Sequence, residues 1–158
     1  MPSPLVLTNS TLFLMTPISG ASTPVLTPYS ARGLTQTLEP IFKPEWLRED
    51  VNGVLRDISD SRFRKYVSDV SCRDTATPCI DGTWVGVEVE VECACELSYP
   101  TGGTPQRSAV AGSTRTEGSI TFYRPLLYMM VAPFKSSFSE YGAGGYAWQF
   151  QLREIQVP

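Results

Sequence analysis

From Trp84 to Tyr99 the chain alternates with almost no interruption. Val87, Val89, Val91, Cys93, Cys95, Leu97 and Tyr99 fall on one side of an extended chain, and Glu88, Glu90, Glu92 and Glu96 on the other. A period of two predicts a strand with one buried face. Phe63–Cys72 alternates as well, with Tyr66, Val70 and Cys72 in phase and Arg64 alongside them. Leu5–Met15 reads as one strand or two short ones. Ile120–Ala132 opens with β-branched and aromatic residues, and Pro125 within it predicts an edge position or a bulge. Tyr146–Val157 puts Trp148, Phe150 and Leu152 on one face, then moves to Ile155 and Val157, a switch that a bulge or a twist produces. The glycines of 142–145 predict the turn before this last strand.

Helix is scarce. Pro44–Leu55 is the one candidate: Pro44 suits a first turn, Trp46 and Leu47 are its anchors, and Gly53 ends it. Two long segments, Thr16–Gly33 and Tyr99–Gly118, lack periodicity and are thin in charge. They read either as arms that become ordered against a neighbour or as plain loops. The expected fold is therefore all-β, an antiparallel β-sandwich or barrel with long loop arms at 16–33 and 99–118 and at most one short helix. Residues 1–20 read as an N-terminal extension and 21–158 as a single β domain, which 158 residues accommodate.

Composition narrows the function. The net charge of −3 offers no basic excess for nucleic acid or an anionic membrane. Charged residues are 18%, below the usual quarter, which fits a surface that meets other protein. No apolar run approaches the ~20 residues of a membrane span, and the N-terminus lacks the basic segment of a signal peptide. With 0 histidines, Ser-His-Asp and Cys-His arrangements are impossible within the chain.

The cysteines, Cys72, Cys79, Cys93 and Cys95, match no zinc spacing, and Cys93 and Cys95 sit on one strand face, where they do not bond to each other. Buried thiols are the expectation in a reducing cytoplasm. The stretches GTPQRS and GAGGY lack the layout of phosphate loops. The glutamate row admits three readings. It is a solvated strand face paired with Arg62, Arg64, Lys65 or Arg73; or it binds a basic protein surface; or it lines a channel through a ring of copies, where like charge keeps DNA from adhering. Residue chemistry alone favours the first. Four identical residues on one face have no reason to split into an acid and a base, so no catalytic residue is expected, and no cofactor or metal.

Several stretches, in order, resemble a group of small virion proteins of tailed bacteriophages. They are TPYSARGLTQTLEPI (Thr27–Ile41), VNGVLRDIS (Val51–Ser59), FRKYVSDVSCRD (Phe63–Asp74), DGTWVG (Asp81–Gly86), ELSYP (Glu96–Pro100) and RTEGSITFYRPLLYMMV (Arg115–Val131). The resemblance implies a non-enzymatic structural component of the tail, one that assembles into a ring around the DNA path. The lack of a long helix favours an accessory tail, baseplate or adaptor protein over a main tube protein. Its implied partners are itself and other tail proteins, with DNA only as a passing polymer and no membrane. Its implied place is the virion tail, assembled in the bacterial host cytoplasm. The alternative is a capsid decoration or carbohydrate-binding β-sandwich, with Trp84, Trp148, Tyr123 and Tyr128 as candidates for its aromatic surface, each also a plausible core residue.

Overall fold

The computed structural model describes residues 12–18, 25–27, 29–142 and 145–155. Every strand pair in it is antiparallel. The main strands are β1 (Leu14–Pro17), β2 (Thr35–Pro40), β5 (Tyr66–Asp74), β6 (Glu88–Glu92), β10 (Leu126–Ser139) and β11 (Gly145–Glu154). They form one six-stranded sheet in the order β1-β6-β10-β11-β5-β2. A hairpin of β3 (Leu47–Glu49) and β4 (Leu55–Asp57) stands apart. A three-stranded sheet runs β7-β9-β8, from β7 (Leu97–Pro100), β8 (Arg115–Glu117) and β9 (Ile120–Tyr123). The architecture is thus all-β, and its large sheet is open, with β1 and β2 as edges.

Alternation sends one face of the large sheet into the core. Met15, Val91 and Leu127 share a cross-strand row, as do Val131 and Leu152, and Phe150 and Val70. Val25, Leu26, Ala31 and Cys93 complete the buried cluster from the loops. Trp148 fastens one of these loops, its Nε1–H donating to the Ser30 carbonyl at 2.7 Å. The opposite face carries Glu88, Glu90, Glu92, Tyr128, Met130, Arg153, Gln149, Ser71 and Thr35, and none of them is buried. Gly145 begins β11 at φ 111°, where a Cβ would lie 2.6 Å from the Asp74 carbonyl oxygen, so this close approach of two strands requires glycine.

The structure corrects four expectations. The alternating run from Trp84 to Tyr99 is two strands in two sheets, β6 ending at Glu92 and β7 beginning at Leu97. At the break, Gln36 replaces the lost ladder: its Oε1 accepts from the Ala94 N–H at 2.7 Å and the Cys95 N–H at 3.2 Å. Ile120–Ala132 likewise divides at the buried Pro125, which bridges Ala109 and passes the chain from the small sheet to the large one. No face switch occurs within the strand after Leu152; of the two residues expected to carry it, Ile155 lies past the end of β11 and Val157 outside the described residues. Glu154 continues the inward phase of Trp148, Phe150 and Leu152, and the irregularity lies in β10 instead, between Val131 and Phe134.

The helix expected over Pro44–Leu55 is a single 3-10 turn, Pro44–Trp46, followed by the β3–β4 hairpin. The turn chemistry explains the outcome. The Asp50 carboxylate accepts from the Asn52 and Val54 amides, and Gly53 takes φ 74°. An Asn-Gly turn between extended segments outweighs the N-terminal proline as a local signal.

Of the segment 16–33, residues 19–24 and 28 lie outside the described ones; Val25, Leu26, Ser30 and Ala31 are buried in its own domain, with the Val25 N–H bonding to the Met15 carbonyl, while Ile18, Tyr29, Arg32 and Gly33 are exposed. Segment 99–118 is also tied to its own domain, through buried Arg107 and Val110 and through β8. Most of the N-terminal extension and of the strand expected over Leu5–Met15, Val157, and the centre of the turn at 142–145 lie outside the described residues.

Candidate functional site

Two surface features stand out, an acidic strand and a detached hairpin. On β6, alternation holds Glu88, Glu90 and Glu92 on the open face of the large sheet. Glu90 lies opposite Thr16 of β1 and Tyr128 of β10, Glu92 opposite Leu14 and Leu126, and Glu88 opposite Met130. None of these cross-strand neighbours is a cation, and among the described residues none of the three makes an ion pair.

Glu96 belongs elsewhere. It lies past the break and meets Arg115, Nη2 to Oε2 at 2.8 Å and Nε to Oε1 at 3.2 Å. That hydrogen bond holds the Glu96 carboxyl below its ordinary range. Arg115 also binds Glu117 and lies over the Phe122 ring at 4.4 Å. The row of four read from the sequence is therefore three unpaired carboxylates and one paired carboxylate.

The cations named from the sequence are engaged elsewhere or far off. Arg62 pairs with Asp60 at 2.9 Å and Arg64 with Asp57 at 3.6 Å. Lys65 donates to the Ile155 carbonyl, and Arg73 lies on β5, with β10 and β11 between it and β6.

The hairpin is an excursion of residues 41–65 between β2 and β5, which pair directly. The Ile41 N–H donates to the Lys65 carbonyl at 2.7 Å and closes its neck. Trp46 stacks on Phe63 at 6.1 Å above that neck. Among the described residues, no hydrogen bond joins 42–63 to any residue outside the 41–65 excursion. Phe42, Val51, Val54, Leu55, Ile58 and Phe63 are each more than half exposed on it.

The hairpin register sets Arg48 directly opposite Arg56. Arg56 binds Asp50 at 2.9 Å, while Arg48 has no ion pair among the described residues. The backbone N–H of Val54, then Arg56, then the N–H of Asn52 hold the Asp50 carboxyl below its usual range. Sequence reading missed this element by taking Gly53 as a helix end. The Asn52-Gly53 pair between LRE and VLRD was the signal that could have found it.

Of the aromatic residues considered for a sugar platform, Trp148 and Tyr123 are core residues, Trp84 is 73% exposed, and Tyr128 is half-buried on the acidic face. A shallow recess of about 450 Å³ on the same open face has a mixed lining that includes Thr35, Ser71, Arg73, Lys135, Trp148 and Gln149.

The four cysteines are free thiols. Burial pushes the Cys93 thiol up to about 12, so it stays protonated and unreactive near neutrality. Among the described residues, no three acidic or cysteine side chains gather as a metal site, and no helix is long and apolar enough to cross a membrane. No protein-family model, curated protein or solved structure matches the chain.

Proposed function

We propose that the protein is a non-enzymatic structural component of a bacteriophage virion, an accessory tail, baseplate or adaptor protein whose copies assemble into a ring around the DNA path. The resemblance of its motifs to small virion proteins supplies the setting. The observation that carries the assembly role is the detached hairpin. Six large apolar side chains on a 25-residue excursion lie more than half exposed, a surface that costs free energy in water and loses that cost when covered by protein.

The open face of the large sheet adds a second uncovered surface. A sheet with half-buried Leu126, Tyr128 and Met130 on its outer side is suited to contact. Particle imaging and native mass spectrometry of the purified chain test the role. The expected species is a closed ring of defined copy number. A chain that remains monomeric at high concentration, with and without tail partners, contradicts it. The carbohydrate-binding alternative is weakened because two of its four aromatic candidates are spent in the core.

A further inference from the structure

We propose that the hairpin of one copy docks on the acidic side of the open sheet of the next, with Arg48 and Arg56 meeting Glu88, Glu90 and Glu92. The inference rests on the self-assembly reading above and names the two surfaces that would perform it.

Each surface is unfavourable in isolation for the same reason. On the hairpin, Arg48 and Arg56 stand directly opposite each other, Asp50 pairs with Arg56 alone, and like charges across a ladder repel. On β6, three carboxylates follow one another on one face with no cation directly opposite them. Bringing the surfaces together relieves both. The spacing is compatible: residues opposite each other in a hairpin have Cβ atoms about 5 Å apart, and alternate residues along a strand are about 7 Å apart. Two arginines can therefore reach two successive glutamates. Apolar side chains flank the charges on both surfaces, exposed Val54 two residues from Arg56 on the hairpin, Tyr128 and Met130 on the sheet. Covering them excludes water, which strengthens the charge pairs.

The topology says why the partner is another copy. The hairpin leaves the sheet at the β2–β5 edge, whereas β6 lies beside the opposite edge strand, β1. Strands β10 and β11 separate the two surfaces within one chain. A donor surface at one edge and an acceptor at the other make a head-to-tail contact, which repeats from copy to copy and closes into a ring when the rotation permits.

The test uses two charge-reversed full-length chains, Arg48→Glu/Arg56→Glu and Glu88→Arg/Glu90→Arg, followed by analytical ultracentrifugation alone and mixed. Thermal unfolding checks that each is folded. Should the strand variant fold poorly, Glu88→Gln/Glu90→Gln takes its place for the single-variant arm. The expected result is self-association weakened by about tenfold or more in each variant alone, and recovered when the two reversed chains are mixed. If the wild type assembles and the folded variants assemble equally well, the docking is wrong and the ring reading stands. If each variant is impaired and mixing the reversed chains restores nothing, these surfaces do not meet each other, and the docking is again wrong. If the wild type itself never associates, the ring reading falls and the docking with it.

Discussion

Arg107 and Glu154 face each other inside the protein, Nε to Oε1 at 2.6 Å, with side chains 5% and 0% exposed. Glu154 also accepts the Tyr66 N–H at 2.8 Å, and Arg107 donates to the Arg64 carbonyl at 2.8 Å. The pair therefore ties three separate parts of the chain: the loop before β8, the start of β5 at the hairpin neck, and the end of β11. Arg107 lies over the Tyr66 ring as well, at 5.4 Å. Every strong donor and acceptor here has a partner, which is the condition for a buried charge to be tolerated.

Removing one partner leaves the other charge buried and uncompensated. Arg107→Met is expected to destabilise the protein by about 3–5 kcal/mol, read as a fall of roughly 10 °C in melting temperature. Combining it with Glu154→Gln removes the stranded charge and keeps an acceptor for the Tyr66 N–H, so the double variant is expected to recover at least half the loss. An additive double variant would show that the two residues act independently.

Gln36 secures the break between β6 and β7. Its Nε2 donates to the Ser68 hydroxyl at 3.0 Å while its Oε1 accepts two backbone amides. Gln36→Leu leaves those amides without an acceptor, at a cost of about 1–3 kcal/mol. Urea unfolding measures the loss, and hydrogen exchange should show the Ala94 amide losing protection first. Unchanged protection would mean that the bend is held by other contacts.

Acid should loosen the segment over the core. Asp74 accepts from Arg32 through both its side chain and its N–H, and the Arg32 hydrogen bond leads the effects that lower its carboxyl to about 2. A depressed folded value contributes stability that is fully present above the unfolded value of about 4 and is lost as pH falls towards 2. With Arg32 partly open to water, the contribution is about 1–2 kcal/mol. Unfolding free energies measured from pH 5 to pH 2 should fall more steeply in the wild type than in Asp74→Asn, and equal slopes would contradict this assignment.

The thiols should react in the order of their exposure. Cys79 is exposed, Cys95 is half-buried, and Cys72 and Cys93 are buried. Mass spectrometry after brief alkylation of the native protein at pH 8 should find Cys79 labelled first and Cys93 unlabelled until the protein unfolds. Early labelling of Cys93 would mean that the bend after β6 opens readily.

The β6 carboxylates should contribute little to protomer stability. Replacing Glu88, Glu90, Glu92 and Glu96 by Gln removes one exposed pair, Glu96 with Arg115, and no ion pair on β6. The expected melting temperature stays close to that of the wild type, because water and salt screen an exposed pair. A melting temperature far below that of the wild type would show that the row is structural within the protomer.

By itself the sequence determined the all-β class, because period-two alternation in Phe63–Cys72, Trp84–Tyr99 and Tyr146–Leu152 has one reading in an extended chain. It also fixed which face of each strand is buried: Val70, Val89, Val91, Phe150 and Leu152 lie in the core as their phase requires. The tertiary structure decided where strands break and which surfaces remain uncovered. Alternation cannot register that a distant Gln36 will bind the amides of Ala94 and Cys95, so one run of sixteen residues became strands in two sheets. Nor can it foresee that Arg107, 47 residues away, will neutralise a glutamate in an apolar phase. Local propensity gave Pro44–Leu55 to a helix, whereas the Asp50 turn and the stack of Trp46 on Phe63 made it a hairpin. The division of the glutamate row has the same origin. Strand neighbours are assigned by the order of the sheet, and that order put β1 and β10 beside β6, with no cation opposite its carboxylates.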